Sequence, residues 1–425
     1  MSEDFLYYLW KFRLYKPEIY TTQDGQYLEI IHPGIKNNDA GPDFFNAKIK
    51  IGNTLWAGNV EIHKKSSDWN RHGHQNDPAY NNVILHVVAE YDTQILNSSG
   101  LKVTTWQMPI EAWHIDNYNN LISNSQKIAC SSRINLISSM EMSSWIERMA
   151  IEKLEDKISH IKNLLSQCKN DWDEVFYVLT ARCFGFSVNG DAFEQLARQT
   201  SWKIILKNRD KIESLEAIFM GQAGFLSDYK GQDEYIKKLE QEYQFLRKKY
   251  DLTPLSSSLW KFLRLRPSNF PTVRLMQFAK LLHQNSFSFS CLSQETDFEN
   301  IYKLLMITPS QYWETHFRPD VESPKTDKRL GKSSAELIII NTLIPILFAY
   351  GKLRGDDDLF NKALEWFQTM LPEKNSIISE WKKTGITAEN AMQSQALIYL
   401  TKNYCQVKKC LHCAIGHAVM SKKNF

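Results

Sequence analysis

The spacing of hydrophobic residues changes part of the way along this chain. Between residues 27 and 88, short runs alternate apolar and polar side chains, a spacing of two that indicates strands. From Ser143 onward, apolar positions recur at helical spacing, and proline or glycine separates one run from the next. We therefore expect an α+β protein, in which an N-terminal α/β domain precedes a larger all-helical region.

The predicted elements of the first region follow from its local pattern. Helical spacing over the first dozen residues predicts an opening helix that Pro17 ends. Gly52-Asn53 suits a tight turn between two strands. Polar residues 66–82 are expected to hold a short helix, and the continuous apolar run 83–88 suits a buried strand. The other predicted strands are residues 27–31, 47–51, 55–63 and 102–106.

The length of 425 residues exceeds what one ordinary hydrophobic core covers. We expect an α/β domain at residues 1–135, a helical domain at 140–290, and a helical domain at 291–425 with a C-terminal group of cysteines. Hydrophobic residues at 43% and charged residues at 23% are typical of a folded globular chain and argue against extended disorder.

Composition also predicts the compartment. No apolar run reaches the roughly 18 residues that span a bilayer, so no membrane partner is expected. Glu336, Asn341 and Pro345 interrupt the most apolar segment, which predicts a buried, bent helix. The acidic start of the chain argues against export, and seven scattered cysteines are typical of reduced thiols. We expect a cytoplasmic protein.

The distribution of charge says more than the net charge of +3. Residues 1–125 hold ten Lys/Arg and fourteen Asp/Glu, so the remaining 300 residues carry +7. Five lysines and no acid lie between residues 400 and 425, which fits either a nucleic-acid contact or a solvated tail. The sequence leaves the oligomeric state open.

Metal-binding and proton-transferring side chains are concentrated between residues 39 and 88. Residues two apart on a strand share a face, so Glu61, His63 and Lys65 are expected to point together. Asp43 opens the preceding strand, and the tight turn would bring that strand alongside. Two carboxylates on adjacent strands can hold Mg²⁺ or Mn²⁺ and leave positions for water and a phosphate.

Nearby polar residues allow other interpretations. His72, His74 and Asp77 could join this metal site or bind a second ion, although histidines on a polar loop commonly face solvent. A zinc hydrolase that uses His63, His72 and His74 is a further hypothesis. His86 lies within an apolar strand and is expected to be a hydrogen-bonded core histidine.

A second candidate metal site lies near the C-terminus. Cys405, Cys410 and Cys413, with His417 and a distant Cys130, could hold zinc or an iron–sulfur cluster. Buried reduced thiols are the alternative.

Three arginines flank an irregular loop. Arg264, Arg266 and Arg274 could contact nucleic-acid phosphates, because arginine binds phosphate through two parallel hydrogen bonds. They could equally anchor the loop to acidic helix ends.

The N-terminal arrangement resembles the PD-(D/E)XK nucleases. In that family an Asp after a Pro begins one strand, an Asp/Glu-X-Lys triplet lies on the next, and a helix and a buried strand follow. Pro42-Asp43, Glu61-Ile62-His63, residues 67–82 and residues 83–88 occur here in that order.

This resemblance implies a nuclease that hydrolyses nucleic-acid phosphodiester bonds. Asp43 and Glu61 would hold Mg²⁺ or Mn²⁺, His63, at the family's lysine position, would orient or activate water, and Lys65 would offset charge on the phosphate. The substitution of histidine for lysine keeps a second hypothesis open, a non-catalytic nucleic-acid-binding or scaffolding protein. The helical region would position substrate or bind a protein partner.

Over its whole length the sequence also resembles a family of uncharacterised bacterial proteins, which brings no established activity. The shared blocks include Gly41-Pro42-Asp43-Phe44, Gly58-Asn59-Val60-Glu61-Ile62-His63, Leu215-Glu216-Ala217, and Arg264-Leu265-Arg266-Pro267-Ser268-Asn269-Phe270-Pro271.

Overall fold

The computed structural model describes residues 1–16, 19–227, 229–284 and 287–423. It has an α+β fold, with a sheet in the N-terminal part followed by many helices. The chain forms two compact units. The sheet unit comprises Met1–Ile146, Asn375–Thr387 and Leu397–Phe425, and the helical unit comprises Glu147–Lys374 and Ala388–Ala396. The C-terminal cysteines therefore belong to the sheet unit, whereas the sequence analysis placed them in a separate helical domain.

Among the described residues before α4, the sheet unit contains three α-helices and seven strands. Its helices are α1 (Glu3–Phe12), α2 (Asp68–Arg71) and α3 (Ala112–Ser123). Its strands are β1 (Tyr20–Thr21), β2 (Tyr27–His32), β3 (Ile35–Lys36), β4 (Phe44–Ile51), β5 (Thr54–Lys65), β6 (Val83–Glu90) and β7 (Thr105–Gln107).

The first helix begins and ends for local reasons. The Ser2 hydroxyl accepts the Phe5 N–H at the N-terminus, and Arg13 adopts a left-handed conformation (φ 53°) at the C-terminus. Pro17, the residue expected to end this helix, lies outside the described residues. Leu9 and Trp10 are fully buried, which fixes the helix in the core of the unit.

The strand order of the sheet is β1-β2-β4-β5-β6-β7, and β3 also pairs with β4. Strands β1 to β5 pair antiparallel, whereas β6 is parallel to β5 and β7 is parallel to β6. Phe44 pairs with Val60, so Asp43 lies beside Glu61. Glu61 pairs in turn with His86 on β6. The sheet therefore brings a carboxylate and an imidazole from its neighbouring strands to Glu61.

Helix α4 (Ser139–Gln167) begins in the sheet unit and continues into the helical unit. The helices that follow it in the helical unit are α5 (Trp172–Phe184), α6 (Phe186–Gln199), α7 (Trp202–Asn208), α8 (Ile212–Gln222), α9 (Glu234–Tyr250), α10 (Pro271–His283), α11 (Phe289–Gln294), α12 (Phe298–Leu305), α13 (Lys332–Ile338), α14 (Ile344–Arg354) and α15 (Asp357–Thr369), with a small hairpin of β8 (His316–Arg318) and β9 (Val321–Glu322).

One helical stretch of this unit is apolar enough to cross a membrane by composition. It runs from Lys332 to Arg354, and 72% of its most apolar window is buried inside the protein, as in a core helix. A π-helical turn at Ile339–Leu343 precedes Pro345 and accommodates the missing N–H of the proline. The prediction that this segment is a buried helix is confirmed, and its bend stays a prediction.

The last part of the chain contains α16 (Ser376–Lys383), α17 (Ala391–Leu400) and α18 (Ala414–Met420). Between α17 and α18 the chain forms a π-helical turn at Thr401–Cys405 and a 3₁₀ turn at Cys410–His412. The side chains of His114 and Asn117 on α3 hydrogen-bond to the carbonyl oxygens of Met420 and Val419, at 3.0 and 3.1 Å. Helix α18 is thus held against α3 within the sheet unit.

Candidate metal centre

Two of the predicted carboxylates lie together at the junction of β4 and β5. The backbone N–H of Asp43 donates to Glu61 Oε2 at 3.0 Å, and the Ile62 N–H donates to Asp43 Oδ2 at 2.9 Å. Burial and the neighbouring Glu61 carboxylate raise the pKa of Asp43 to about 7. Tyr7 on α1 donates a side-chain hydrogen bond to Asp43. Each carboxylate is therefore fixed by backbone contacts of the other strand.

Three imidazoles converge on the same point. One ligand nitrogen from each of His63, His72 and His74 lies within 4.8 Å of the other two. His72 Nδ1 is 3.0 Å from His63 Nε2. Glu61 Oε1 is 3.1 Å from His74 Nε2 and 3.5 Å from His63 Nε2. We call Glu61, His63, His72 and His74 the histidine–glutamate cluster.

The loop after β5 carries two of these histidines. Gly73, between His72 and His74, has a φ of +82°, a left-handed conformation that an L side chain would strain. Buried Trp69 on α2 anchors the loop, because its indole N–H donates to the Leu96 carbonyl at 3.0 Å. The Tyr80 ring stacks on His74, with the ring centroids 3.8 Å apart. Aromatic packing thus holds the imidazole of His74.

His86 supports the cluster from the neighbouring strand. Its Nε2 lies 2.9 Å from His63 Nδ1, and the side chain is fully buried. Burial, and then the nearby His86 and His72, lower the pKa of His63 to about 2. Burial also lowers the pKa of His86 to about 3. Both rings are neutral near pH 7, and a neutral imidazole is the form that binds a metal ion.

The donor atoms of the cluster fit a transition-metal ion. His74 Nε2 is buried and has no hydrogen-bond partner among the described residues, although Glu61 Oε1 is only 3.1 Å away. Buried polar atoms normally have a partner, so this nitrogen and this oxygen point to a shared position rather than to each other. Three imidazole nitrogens and one carboxylate oxygen match the ligands of Zn²⁺ better than those of Mg²⁺.

The members of the cluster differ in their exposure to solvent. Glu61, His63 and His74 are buried, whereas His72 is exposed and Asp43 is half-buried. Arg71, at the rim, has a side chain 68% exposed and pairs with Asp68 at 2.9 Å. A small molecule or a chain end could therefore approach beside His72.

Two other predicted site residues lie outside the cluster. The Lys65 ammonium pairs with Glu90 at 3.0 Å, and half of its side chain is exposed. The exposed Asp77 carboxylate caps the 3₁₀ turn Pro78–Tyr80 by accepting the Ala79 N–H at 2.9 Å. Both side chains have local structural partners instead of cluster contacts.

The predicted arginine group divides into exposed and buried members. Arg274 is buried, lies over the Phe186 ring at 4.6 Å, and donates to Gln277 at 2.8 Å and Ser334 at 3.3 Å. These contacts favour an anchoring role for Arg274. Arg264 and Arg266 are exposed, and their contact with phosphate stays a prediction.

The C-terminal candidate residues also divide. Cys130, Cys405, Cys410 and Cys413 are free cysteines that line one cavity. His417 instead has its Nδ1 2.7 Å from the Tyr8 hydroxyl on α1. It is not among the residues that line the cavity.

Sequence reasoning missed Tyr7 as a supporting residue. Tyr7 gives no local signal, because it reaches Asp43 only through the packing of α1 on the sheet. His86 was predicted as a hydrogen-bonded core histidine, and it is fully buried with its Nε2 2.9 Å from His63 Nδ1.

The structure was compared with known proteins. No curated protein and no solved structure matches the chain. A family described as "Protein of unknown function (DUF2851)" matches residues 3–376, which include the whole histidine–glutamate cluster and exclude the C-terminal cysteines. The chain belongs to this DUF2851 family.

Proposed function

We propose that this protein hydrolyses phosphodiester bonds of nucleic acid with a divalent ion held by His63, His72, His74 and Glu61. The observation that carries the proposal is the convergence of three imidazole nitrogens within 4.8 Å of one another beside Glu61 Oε1. Among the described residues, His74 Nε2 is buried without a hydrogen-bond partner and lies 3.1 Å from Glu61 Oε1, beside the other two imidazoles.

The donor set favours Mn²⁺ or Zn²⁺ over Mg²⁺, since Mg²⁺ prefers an all-oxygen octahedron. The ion would supply Lewis-acid catalysis by polarising the phosphoryl group under attack. The expectation from sequence that Asp43 and Glu61 hold Mg²⁺ or Mn²⁺, with His72, His74 and Asp77 as possible further ligands, is therefore revised in this proposal. Glu61 stays a ligand, and Asp43 becomes its neighbour.

Each side chain of the site has a role that its contacts suggest. Glu61 keeps one oxygen on the Asp43 N–H and turns the other toward the imidazoles. His86 contacts His63 Nδ1, the ring nitrogen of His63 that does not face the cluster, and so orients the His63 ring. Metal-ligating histidines are commonly oriented by such a contact to their other ring nitrogen. Half-buried Asp43 lies beside Glu61, where it would orient the attacking water or accept its proton.

The choice of phosphodiesters rests on the order of the elements and on charge. Helix α1, strand β4 with Asp43 before it, strand β5 with Glu61, short helix α2 and parallel strand β6 follow the order of the PD-(D/E)XK nucleases. Arg71 at the rim offers a cation to a phosphate. We place the reaction in the cytoplasm, where seven cysteines, all free among the described residues, would stay reduced.

The test is a cleavage assay on chelator-treated protein. Single- and double-stranded DNA and RNA are incubated with Mn²⁺, Zn²⁺ or Mg²⁺, and we expect Mn²⁺ or Zn²⁺ to restore the most activity. His63→Asn and His72→Asn should abolish it. The matched control is His32→Gln, because exposed His32 on β2 accepts only the Gly34 N–H in this structure.

Two results would overturn the proposal. Cleavage that survives in both His63→Asn and Glu61→Gln would place the reaction elsewhere. Tight metal binding with no cleavage of any nucleic acid, but with retained nucleic-acid binding, would favour the non-catalytic binding hypothesis.

A further inference from the structure

The longest stretch of the chain without an acidic residue lies in the helical unit. Residues 252–294 hold five Lys/Arg and no Asp or Glu, so this stretch carries +5 of the +7 charge of residues 126–425. Three of its cations, Lys261, Arg264 and Arg266, are exposed and lie on the loop that precedes α10. The basic surplus of the chain is therefore concentrated at one exposed loop.

Buried polar side chains hold both ends of this loop. At its start, the side-chain oxygen of Asn189 on α6 accepts the Lys261 N–H at 2.8 Å, and the side-chain nitrogen donates to the Lys261 carbonyl at 3.0 Å. At its end, Arg274 donates to the side-chain oxygen of Asn269. Asn189 and Arg274 are 4% and 5% exposed. The loop is thus anchored to the core of the helical unit before any ligand binds.

Aromatic rings bring a further arginine to the loop. The rings of Phe262 and Phe270 meet edge to face, with their centroids 5.2 Å apart. The guanidinium carbon of Arg318 on β8 lies 4.6 Å from the centre of the first ring and 4.8 Å from the centre of the second. A guanidinium that stacks on aromatic rings keeps the N–H donors at its edge available. Arg318, which is exposed, can therefore bind an anion while the rings hold it.

The exposed cations of this region lack acidic partners. Among the described residues, none of them forms an ion pair with Asp or Glu, and we call them the basic surface: Lys261, Arg264, Arg266 and Arg318. Exposed Arg182 of the same unit, in contrast, pairs with Asp191 and with Glu194, each at 2.6 Å. Unpaired like charges on one loop repel one another, so the basic surface favours an anionic ligand.

Apolar side chains lie among these cations. Leu263 is 84% exposed, and Phe262 and Phe270 are half-buried. Arg264, next to Leu263, has a left-handed backbone conformation (φ 63°) that residues other than glycine seldom adopt. Proteins that bind single-stranded nucleic acid combine cations for the phosphates with apolar or aromatic side chains for the unpaired bases. A duplex stacks its bases inside, so this combination favours a single strand.

We propose that the basic surface of the helical unit binds the phosphates of a single-stranded nucleic acid, while Phe262 and Leu263 contact its bases. The choice of nucleic acid rests in part on the proposed function. It also rests on chemistry, because guanidinium groups bind phosphate through two parallel hydrogen bonds and bases stack on aromatic rings. An acidic peptide would use the cations alone.

Binding to chelator-treated, full-length protein tests the proposal without any cleavage. Fluorescence anisotropy with a labelled oligonucleotide, alone or in a duplex, gives Kd at several salt concentrations. We expect the single strand to bind more tightly than the duplex. Equal or tighter binding of the duplex would overturn the assignment to a single strand. A protein that binds in this assay but cleaves nothing would contradict the proposed function and leave the basic surface intact.

Charge variants locate the contact. Arg264→Gln/Arg266→Gln should raise Kd at least about tenfold and lower the slope of log Kd against log salt concentration by about 1.4, since each phosphate contact of a single strand contributes about 0.7. The matched control is Lys207→Gln/Arg354→Gln, which removes two exposed cations of α7 and α14 in the same unit and should change neither value. Unchanged binding in the arginine variant would overturn the proposal.

Two further measurements separate phosphate binding from a structural role of the loop. Arg264→Lys/Arg266→Lys keeps both charges, so the salt slope should return to that of the unaltered protein. Photocrosslinking of the unaltered protein to the oligonucleotide should modify the peptide that holds residues 261–270. Crosslinks confined to the sheet unit would overturn the proposal. Displacement of the oligonucleotide by polyglutamate at equal charge concentration would also overturn it and assign the surface to an acidic protein.

Discussion

Two buried glutamates, one in each unit, have very different surroundings. Glu216 on α8 is fully buried, and both of its oxygens accept hydroxyl groups: Tyr235 donates to Oε2 at 2.6 Å and Ser310 to Oε1 at 2.7 Å. The Trp313 indole donates in turn to the Tyr235 hydroxyl at 3.2 Å. This network is closed, because its donors and acceptors are matched by residues of the helical unit.

Glu61 is buried to a similar degree, at 5% exposure, but its network is open. One oxygen accepts the Asp43 N–H, and the other faces imidazole nitrogens at 3.1 and 3.5 Å, of which the His74 nitrogen has no hydrogen-bond partner among the described residues. Burial alone therefore does not identify a site. An unpaired buried atom that lies among other metal-ligating atoms favours a ligand site, whereas a matched buried group favours stability.

The largest expected effect is on catalysis at the open network. Glu61→Gln should lower kcat/KM by at least about 100-fold, or roughly 3 kcal/mol of transition-state stabilisation, because the amide is a poor metal ligand. Stability of the metal-free protein should stay the same or rise, since a buried charge is removed. Steady-state kinetics and chemical unfolding measure the two quantities. A large loss of stability without a specific loss of activity would make Glu61 a structural residue like Glu216.

The next effect is on stability at the closed network. Glu216→Ala should lower the free energy of unfolding by about 3 kcal/mol, because it leaves a cavity and strands the hydroxyls of Tyr235 and Ser310. Activity of the folded fraction should change by less than about twofold. Tyr235→Phe, which removes one hydrogen bond, should cost about 1–2 kcal/mol. If Glu216→Ala instead abolishes activity in a stable protein, the comparison fails.

Acid should weaken the open network in metal-free protein. The pKa of His86 falls from the ordinary 6.5 to about 3 because of burial, with His74 adding to the shift. Between these values only the unfolded state binds the proton, so stability falls as pH drops from about 6.5 toward 3, by about 1.4 kcal/mol per pH unit for this group. His63 also faces His86, and burial lowers its pKa to about 2, so its contribution has the same sign.

Burial raises the pKa of Glu216, so its contribution has the opposite sign and the helical unit gains stability from this residue on acidification. Hydrogen exchange of each unit, measured with chelator between pH 7 and 5, resolves the two trends. An equal loss of stability in both units on acidification would contradict the expected difference between them.

The smallest effects are expected at predicted site residues that lie outside the cluster. Lys65→Met removes a solvent-exposed pair with Glu90 and should change stability little. Asp77→Asn keeps a turn-capping oxygen and should also change little. Activity of both variants should match the unaltered protein. A tenfold loss of activity in Lys65→Met would restore the catalytic role predicted for this lysine from the sequence.

Local pattern predicted the elements of the sheet that carry the site. Alternation located β2, β4 and β5, a continuous apolar run located β6, and the Gly52-Asn53 turn placed Asp43 beside Glu61. The period of two also placed Glu61 and His63 on one face. These predictions depend on neighbours in sequence, and short-range geometry suffices for them.

Contacts over longer distances were not predictable. The conformation of the loop after β5 decides that His72 and His74 turn inward while Asp77 caps a turn, and sequence spacing does not encode that choice. Lys65 shares the face of His63, yet its long side chain reaches Glu90. Tyr7, Cys130 and Arg274 acquire their surroundings only from tertiary packing.

The most direct test is an anomalous diffraction map of crystals of the full-length protein soaked in Zn²⁺. The account predicts a peak about 2.0–2.2 Å from an imidazole nitrogen of each of His63, His72 and His74 and from a Glu61 oxygen. A peak bound only by oxygens of Asp43 and Glu61, or no peak at the histidines, would contradict it.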